Sequence, residues 1–505
     1  MMFNKYINSL LITSTIFFSA SCSLDKYPLD TYSEITEGAN NDKEDVVFKD
    51  KAAVLSHLEY LYNQMKNRQE HWYLDMLLLA DAHTDNAYAG TTGAEVVPFE
   101  DNSIEGSNSV LSRDWTRYLE DLGSANKLIC NIDNVNDSSF SDTEKKSVKA
   151  QALIFRSLIL FDMVRIWGNI PVIITSAGDI TADNIEDIYD DYFPSQSTAT
   201  DAYKQIEIDL NEALLYAPDN NPENKTIFSK SVAKALMAKI YAEKPIRNYS
   251  KVIQYCDELE RDGFDLQADF SDLFAMNEEG TDVRIRNSKE SILEAQFFTG
   301  GGNWVTWMFG RDLLNWNSNF TWAKWITPSR DLIKAFDNSG DVKRKEQTIV
   351  YYECTWSNYY PSDAYPFMYK CRSANNSIIK LRFADILLLK AEALLFGENT
   401  DLNAAADIID RIRVRAGLDK LSNTVRGDKN LLINAYLNER RLELALEGQR
   451  WFDLCRLDKV EEVLNNINDS GRKPNVYQFN EYSYLMPIPQ NAIDQNPNLE
   501  QNKGY

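Results

Sequence analysis

The sequence is poor in the features that most directly announce chemistry. Six cysteines are scattered through 505 residues without a CxxC pair, which removes zinc-ribbon and dithiol redox motifs. HExxH, a glycine-rich phosphate loop and a Ser-His-Asp arrangement are missing too, so hydrolysis and phosphate binding have no visible carrier. Basic residues are outnumbered, 53 Lys and Arg against 76 Asp and Glu, for a net charge of −23. No basic stripe marks a nucleic-acid surface. Apolar runs are short: beyond the N-terminus, Leu74 to Ala80 and Ile386 to Leu389 are of core length, well under the roughly 20 residues that cross a bilayer.

What is present begins with a leader. Lys5 precedes an apolar run from Ile7 to Ala20, and Ser19-Ala20-Ser21 stand before Cys22. Residues 1–21 read as a secretory signal peptide, and the Cys that follows resembles the acylated N-terminus of a bacterial lipoprotein. Residues 22–50, broken by Pro28, Gly38 and Asn40-Asn41, read as a lipid-anchored tether. Of the five later cysteines, Cys354 and Cys371 bracket a Pro- and Tyr-rich loop. A bridge between them is one option and buried thiols the other.

The body, 51–505, reads as one mostly-α domain. Apolar residues recur at helical spacing over Lys51 to Asn67, Arg113 to Ile132 and Thr143 to Trp167, the last stopped by Gly168 and Pro171. Helices then come in pairs: Ser229 to Tyr241 with Tyr249 to Glu260, Ile378 to Phe396 with Asn403 to Ala416, and Leu431 to Leu446 leading to Trp451. Alanines sit at close-packing positions such as Ala233, Ala238, Ala391 and Ala405. This is loosely tetratricopeptide-like. Residues 262–375 differ, with a strand pattern at Glu290 to Phe298 and punctuation by Gly300-Gly301-Gly302, Pro328 and Pro361. They are expected to form a loop-rich ligand-binding region set into a helical scaffold of 51–261 and 376–505.

Three stretches carry a family resemblance: KAQALIFRSLILFDMVRIWGNIPVI from Lys149; KLRFADILLLKAEALLFG with NAAADIIDRIRVRAG, from Lys380 to Gly417; and YLNERRLELALEGQRWFDLCR from Tyr436, with the tail YLMPIPQNAIDQNPNLEQNKGY. Together they resemble the RagB/SusD family of outer-membrane nutrient-binding lipoproteins over essentially the whole mature chain. The resemblance implies a SusD-like fold of tetratricopeptide-like helix pairs with a loop-rich insertion region and few short strands. It implies a chain anchored at the cell outer membrane through Cys22, facing the exterior, as a lid on a SusC-like TonB-dependent transporter. The implied ligand is an oligosaccharide, or a peptide in some branches, and no catalysis, cofactor or metal is implied. Within the motifs, Glu439, Glu443 and Glu447 line one helix face. Neighbours on one face cannot straddle a bond as a glycosidase's two carboxyls must, so they read as ion pairs with nearby arginines, and Trp451 and Phe452 as core.

A sugar ring offers an apolar C–H face and a rim of hydroxyls, which flat aromatic rings and side-chain amides match. Trp304, Trp307, Trp316, Trp322 and Trp325 fall in one window, half of the chain's 10 Trp, with Asn303, Arg311 and Asn315 among them. Trp322 and Trp325, three apart, also suit one buried helical face. A second candidate set is Trp72, Tyr73, Asp81 and Asn86. Asp81, His83 and Asp85 have metal-ligand chemistry but no further partner, so no metal site is expected. Tyr351, Tyr352, Trp356, Tyr359, Tyr360 and Tyr365 form a third aromatic patch. The reading is non-catalytic oligosaccharide capture and delivery to a transporter. Its rivals are a peptide-binding relative, a surface glycan hydrolase and a pure interaction scaffold.

Overall fold

A computed structural model describes residues 47–89, 93–176, 189–279, 282–298, 302–308, 325–354 and 359–505. The leader, Cys22 and most of the tether lie outside them. Helix α1 (Lys51–Asn67) starts where the Asp50 carboxylate accepts the Ala53 N–H, and buries Val54, Leu58, Leu61 and Met65 at three- and four-residue steps. The chain then winds through the π-turns Glu70–Leu74 and Leu78–Ala82 and reaches β1 (Ala87–Tyr88), every residue from His71 to Ala89 being buried. Helix α2 (Ser109–Asn131) is capped by the Asn108 side chain, one turn earlier than the periodicity implied. Helix α3 (Asp142–Trp167) opens on a Ser141/Glu144 capping box and stops at Gly168, whose φ of +75° suits glycine.

From α3 each long helix packs on the next: α4 (Ala199–Tyr216), α5 (Lys230–Ala242) and α6 (Tyr249–Arg261). After an excursion through 262–382, the stack resumes with α6 against a later helix, Phe383–Phe396, followed by Leu402–Arg415 and Lys429–Glu443. Buried Ala233, Ala235, Ala238, Ala391, Ala393, Ala405 and Ala406 let the helices approach closely.

The excursion holds β2 (Ser291–Ala295), α7 (Trp304–Met308), β3 (Thr327–Pro328), α8 (Arg330–Asn338), α9 (Val342–Thr348), β4 (Ile349–Tyr352), β5 (Tyr365–Met368) and β6 (Ile378–Arg382). The helices resuming the stack are then α10 (Phe383–Phe396), α11 (Leu402–Arg415) and α12 (Lys429–Glu443), with α13 (Arg450–Arg456) beyond. Among the described residues the strands form three antiparallel pairs: β1 with β3, β2 with β6, and β4 with β5. The expected helix from Ile378 is corrected here. Its first five residues pair with β2, and the helix begins only at Phe383.

Buried charge ties excursion to stack. Glu443 on α12 accepts from Arg382 (2.7 Å) and Arg415, and meets Arg344 at 3.1 Å. Arg382 also reaches Glu290 and Glu447, and Arg344 reaches Glu439 and Asp341. The motif carboxylates therefore fix packing, but through Arg344, Lys370, Arg382, Arg413 and Arg415 from other elements, not through the nearby arginines that their spacing implied. Cys354 packs with Tyr365 and Phe367, Cys371 lies beside Asn303, and no disulfide joins them. No helix among the described residues is long and apolar enough to cross a membrane.

Candidate functional site

The C-terminal half of α1, the turn 223–226, Asn287 and the run from β2 to Phe298 enclose an open cleft of about 440 Å³. Its back wall is stiff. The Tyr62 hydroxyl donates to Gln151 Oε1 (2.7 Å), accepts the Phe228 N–H (2.9 Å), and its ring stacks on Phe228 at 4.3 Å. Burial pushes the Tyr62 phenol above its ordinary pKa, so it stays a hydroxyl.

Asn287 organises the floor. It sits at φ +53°, a left-handed conformation that only local hydrogen bonding makes tolerable for a residue with a side chain. Its N–H donates to Glu294 Oε1 (3.1 Å) and its amide donates to the Glu223 carbonyl (2.8 Å). Its Oδ1 accepts from the Lys225 N–H (2.9 Å) and the Gln296 amide (2.6 Å). Gln296 also donates to Glu294 Oε2 (3.0 Å), so both oxygens of that carboxylate are engaged by protein donors. Behind the turn, Lys225 is buried against the Phe264 ring with its ammonium on Asn220 Oδ1. Burial pulls that ammonium down to about 8, with the Glu294 charge acting the other way.

The front is aromatic and open. Phe298, 55 % exposed, lies over the Arg286 guanidinium at 4.5 Å. Arg286 is itself held on the Phe297 and Asn375 carbonyls. Trp304, 42 % exposed, begins α7, and its N–H donates to Gln69 Oε1 (2.7 Å). The Gln69 amide donates in turn to the carbonyls of Gly302 and Lys66 (both 3.0 Å), which ties the Trp304 turn to the cleft-lining end of α1. Phe298 thus lines a cleft whose walls also carry Asn63, Lys66, Glu223, Asn224, Thr226 and Gln296, and Trp304 stands exposed on the turn that Gln69 ties to α1. Such a surface suits stacking on one face of a ring and hydrogen bonding around its edge.

A family model described as the SusD family matches residues 262–505, and one described as starch-binding associating with outer membrane matches 34–242. The chain belongs to the SusD/RagB family. Its SusD-like relatives include SusD-like protein P2 of Formosa agariphila, 26 % identical over 476 residues, which span 85 % of this chain and 87 % of the relative. Two solved structures share the SusD-like fold. A laminarin-binding SusD-like protein gives a TM-score of 0.66 at 22 % identity, covering 91 % of this chain and 100 % of its own. Surface glycan-binding protein A from Bacteroides fluxus gives 0.70 at 20 %, covering 90 % and 99 %.

In this SusD/RagB chain the residues chosen from sequence separate. Trp304 is exposed at the start of α7, on the turn that Gln69 ties to the end of α1. Asn303 beside it is buried: its amide donates to the Asn376 carbonyl (3.0 Å) and its Oδ1 accepts the Val305 N–H (2.9 Å), so it starts α7 and aims Trp304. Trp72 is buried with its indole N–H on Asp121 (3.1 Å). Tyr73 lines a separate hollow of about 100 Å³ inside the frame. Asp81 accepts from Asn86 (2.9 Å) and from the Leu446 and Gly448 N–H groups, and Asn86 in turn accepts from Arg441. Asp85 takes two bonds from Arg450, and His83 Nδ1 bonds the Phe99 carbonyl. Trp72, Asp81, Asn86 and Asn303 are thus buried and engaged by protein partners, while Trp72 and Tyr73 both line that hollow. No cluster of three metal-ligating side chains occurs among the described residues. In the third aromatic patch, Tyr359 stacks on Tyr88 at 4.4 Å and Tyr360 donates to the Pro328 carbonyl, while Tyr351 is exposed. The Trp307 side chain and Arg311, Asn315, Trp316, Trp322 and Trp356 lie outside the described residues. Phe298, Gln296, Asn287, Asn63 and Lys66 were not foreseen. The one available signal was Phe298, an aromatic at a strand end just before a glycine triplet.

Proposed function

We propose that the chain is a non-catalytic, surface-exposed carbohydrate-binding protein that captures an oligosaccharide in the α1–β2 cleft and passes it to a SusC-like TonB-dependent transporter. The supporting observation is the cleft itself, an amide-rich wall with the exposed Phe298 ring in its lining, together with the exposed Trp304 on a turn tied to the cleft-lining helix α1. The names of two structural relatives, one laminarin-binding and one surface glycan-binding, lean the same way. Acylation at Cys22 would hold the chain on the outer membrane, with 22–50 as tether and 51–505 as the binding domain. Affinity should be modest, because an open platform buries little ligand area and release must follow. A glycan array read beside a pool of short peptides tests the reading. Retention of glycans without peptides supports it. Peptide binding alone moves the protein to the peptide branch, and shortening of the glycan during incubation overturns the non-catalytic assignment.

A further inference from the structure

A second open groove, of about 770 Å³, lies where the segment 102–107 meets the C-terminal tail. Tyr477, Tyr482 and Tyr505 present rings 60, 47 and 44 % exposed along it. Gln478 and Gln490 also line it, and among the described residues Glu105 is its single charged lining side chain. That is a conspicuous departure for a chain with 26 % charged residues. The groove is held open by ties across it. The Val476 N–H donates to the Asp101 carbonyl (2.6 Å), the Gln490 N–H to the Gly106 carbonyl (2.8 Å) and the Asn102 amide to the Tyr477 carbonyl (2.9 Å). The Tyr505 hydroxyl donates to the Leu485 carbonyl (3.1 Å).

We infer that this tail groove is a second carbohydrate subsite, selective for uncharged glycans. Phenol rings and neutral amides recognise the two faces of a polyol. Among the described residues the lining offers no cation to neutralise a uronate or sulfate, and Glu105 repels one. The α1–β2 cleft differs in carrying Lys66. The N-terminus of α2 follows the groove, and Asp121, which Arg68 at the end of α1 contacts (2.9 Å), lies about 18 Å along that helix. A polymer gripped at both places gains by raised local concentration, whereas a short oligosaccharide does not. The inference rests on the carbohydrate reading of the cleft.

The test is affinity electrophoresis of the full chain through gels holding amylopectin, laminarin, galactomannan or polygalacturonate. Wild type is compared with Tyr477→Ala, Tyr477→Ala/Tyr482→Ala and Phe298→Ala/Trp304→Ala. The expected result is retention by a neutral polymer that weakens about tenfold in the double tyrosine variant, with calorimetric binding of the matching short oligosaccharide unchanged. Tyr477→Ala alone, whose ring makes no tie across the groove, should show a smaller loss in the same direction and guards against misfolding. Unchanged retention in both tyrosine variants overturns the subsite while leaving the cleft reading intact. So does lost transporter co-purification with glycan retention kept, which makes the groove a protein contact. Retention of polygalacturonate through the tyrosines overturns the selectivity. No retention of any polymer by wild type overturns both readings.

Discussion

Glu443→Gln removes one negative charge from a closed buried set. Among the described residues, Arg344, Lys370, Arg382, Arg413 and Arg415 pair only within a group completed by Glu290, Asp341, Glu439, Glu443 and Glu447, five charges of each sign. The amide preserves shape and one acceptor but leaves a net positive charge among the buried Arg344, Arg382 and Arg415. Breaking a buried pair in this way costs about 3–5 kcal/mol. For a folding unit of roughly 460 residues the entropy of unfolding is on the order of 1 kcal/mol/K, so the Tm should fall by about 3–5 °C. Differential scanning fluorimetry at pH 7 measures it, with the exposed Glu462→Gln expected to stay within about 0.5 kcal/mol of wild type. Burial alone would raise the Glu443 carboxyl, but Arg415, Arg382 and Arg344 overcome it and hold it well below the usual carboxylate range. A lowered native pKa contributes stability above the ordinary value of 4.5 that is lost as pH falls through the native one. The variant should lack that acid-side loss. A Tm within 1 °C of wild type, or an unaltered acid limb, would refute the view that this set joins excursion to stack.

Three other outcomes are expected. Burial, outweighing its hydrogen bonds, raises the Asp81 carboxyl to about 6 from 3.8, so this group loses the native state on the order of 3 kcal/mol as pH rises between those values. Urea titrations at pH 4 and pH 6.5 should show that slope in wild type and not in Asp81→Asn. At Gly168 an added Cβ would stand 2.6 Å from Leu485 Cδ1 at a φ of +75°, so Gly168→Ala should destabilise by about 1–2 kcal/mol in the same titration. Cys22→Ala should abolish fatty-acid labelling and release the protein from the membrane fraction, while labelled Cys22→Ala protein would contradict acylation there.

The helical stack was legible because its signal is local. Val54, Leu58, Leu61 and Met65 repeat on one face, and Gly168 stops the helix it was expected to stop. The Glu439–Glu443 spacing likewise told of ion pairs, although it could not name Arg344, Arg382 and Arg415, which come from three other elements. Ile378 to Arg382 misled because a short apolar run before a helix has no period of its own. Its strand form comes from pairing with β2. The candidate cleft was less legible, its lining holding none of the residues chosen from sequence. Trp304 announced itself as an aromatic among glycines and asparagines. Trp72, Asp81 and Asn86 looked equally polar and aromatic, yet they belong to a wholly buried run in which Asp121, Leu446, Gly448 and Arg441 satisfy them from far along the chain. Asn287 and Gln296 carried no signal, because what makes them cleft residues is the meeting of β2, α1 and the 223–226 turn.

The most direct measurement is isothermal titration of Phe298→Ala, Trp304→Ala and their combination with the oligosaccharide that the array selects. Stacking on two open rings predicts about two- to tenfold weaker binding for each single variant and near-complete loss for the pair, with thermal stability kept. Wild-type affinity in the double variant would place the ligand elsewhere and contradict the account.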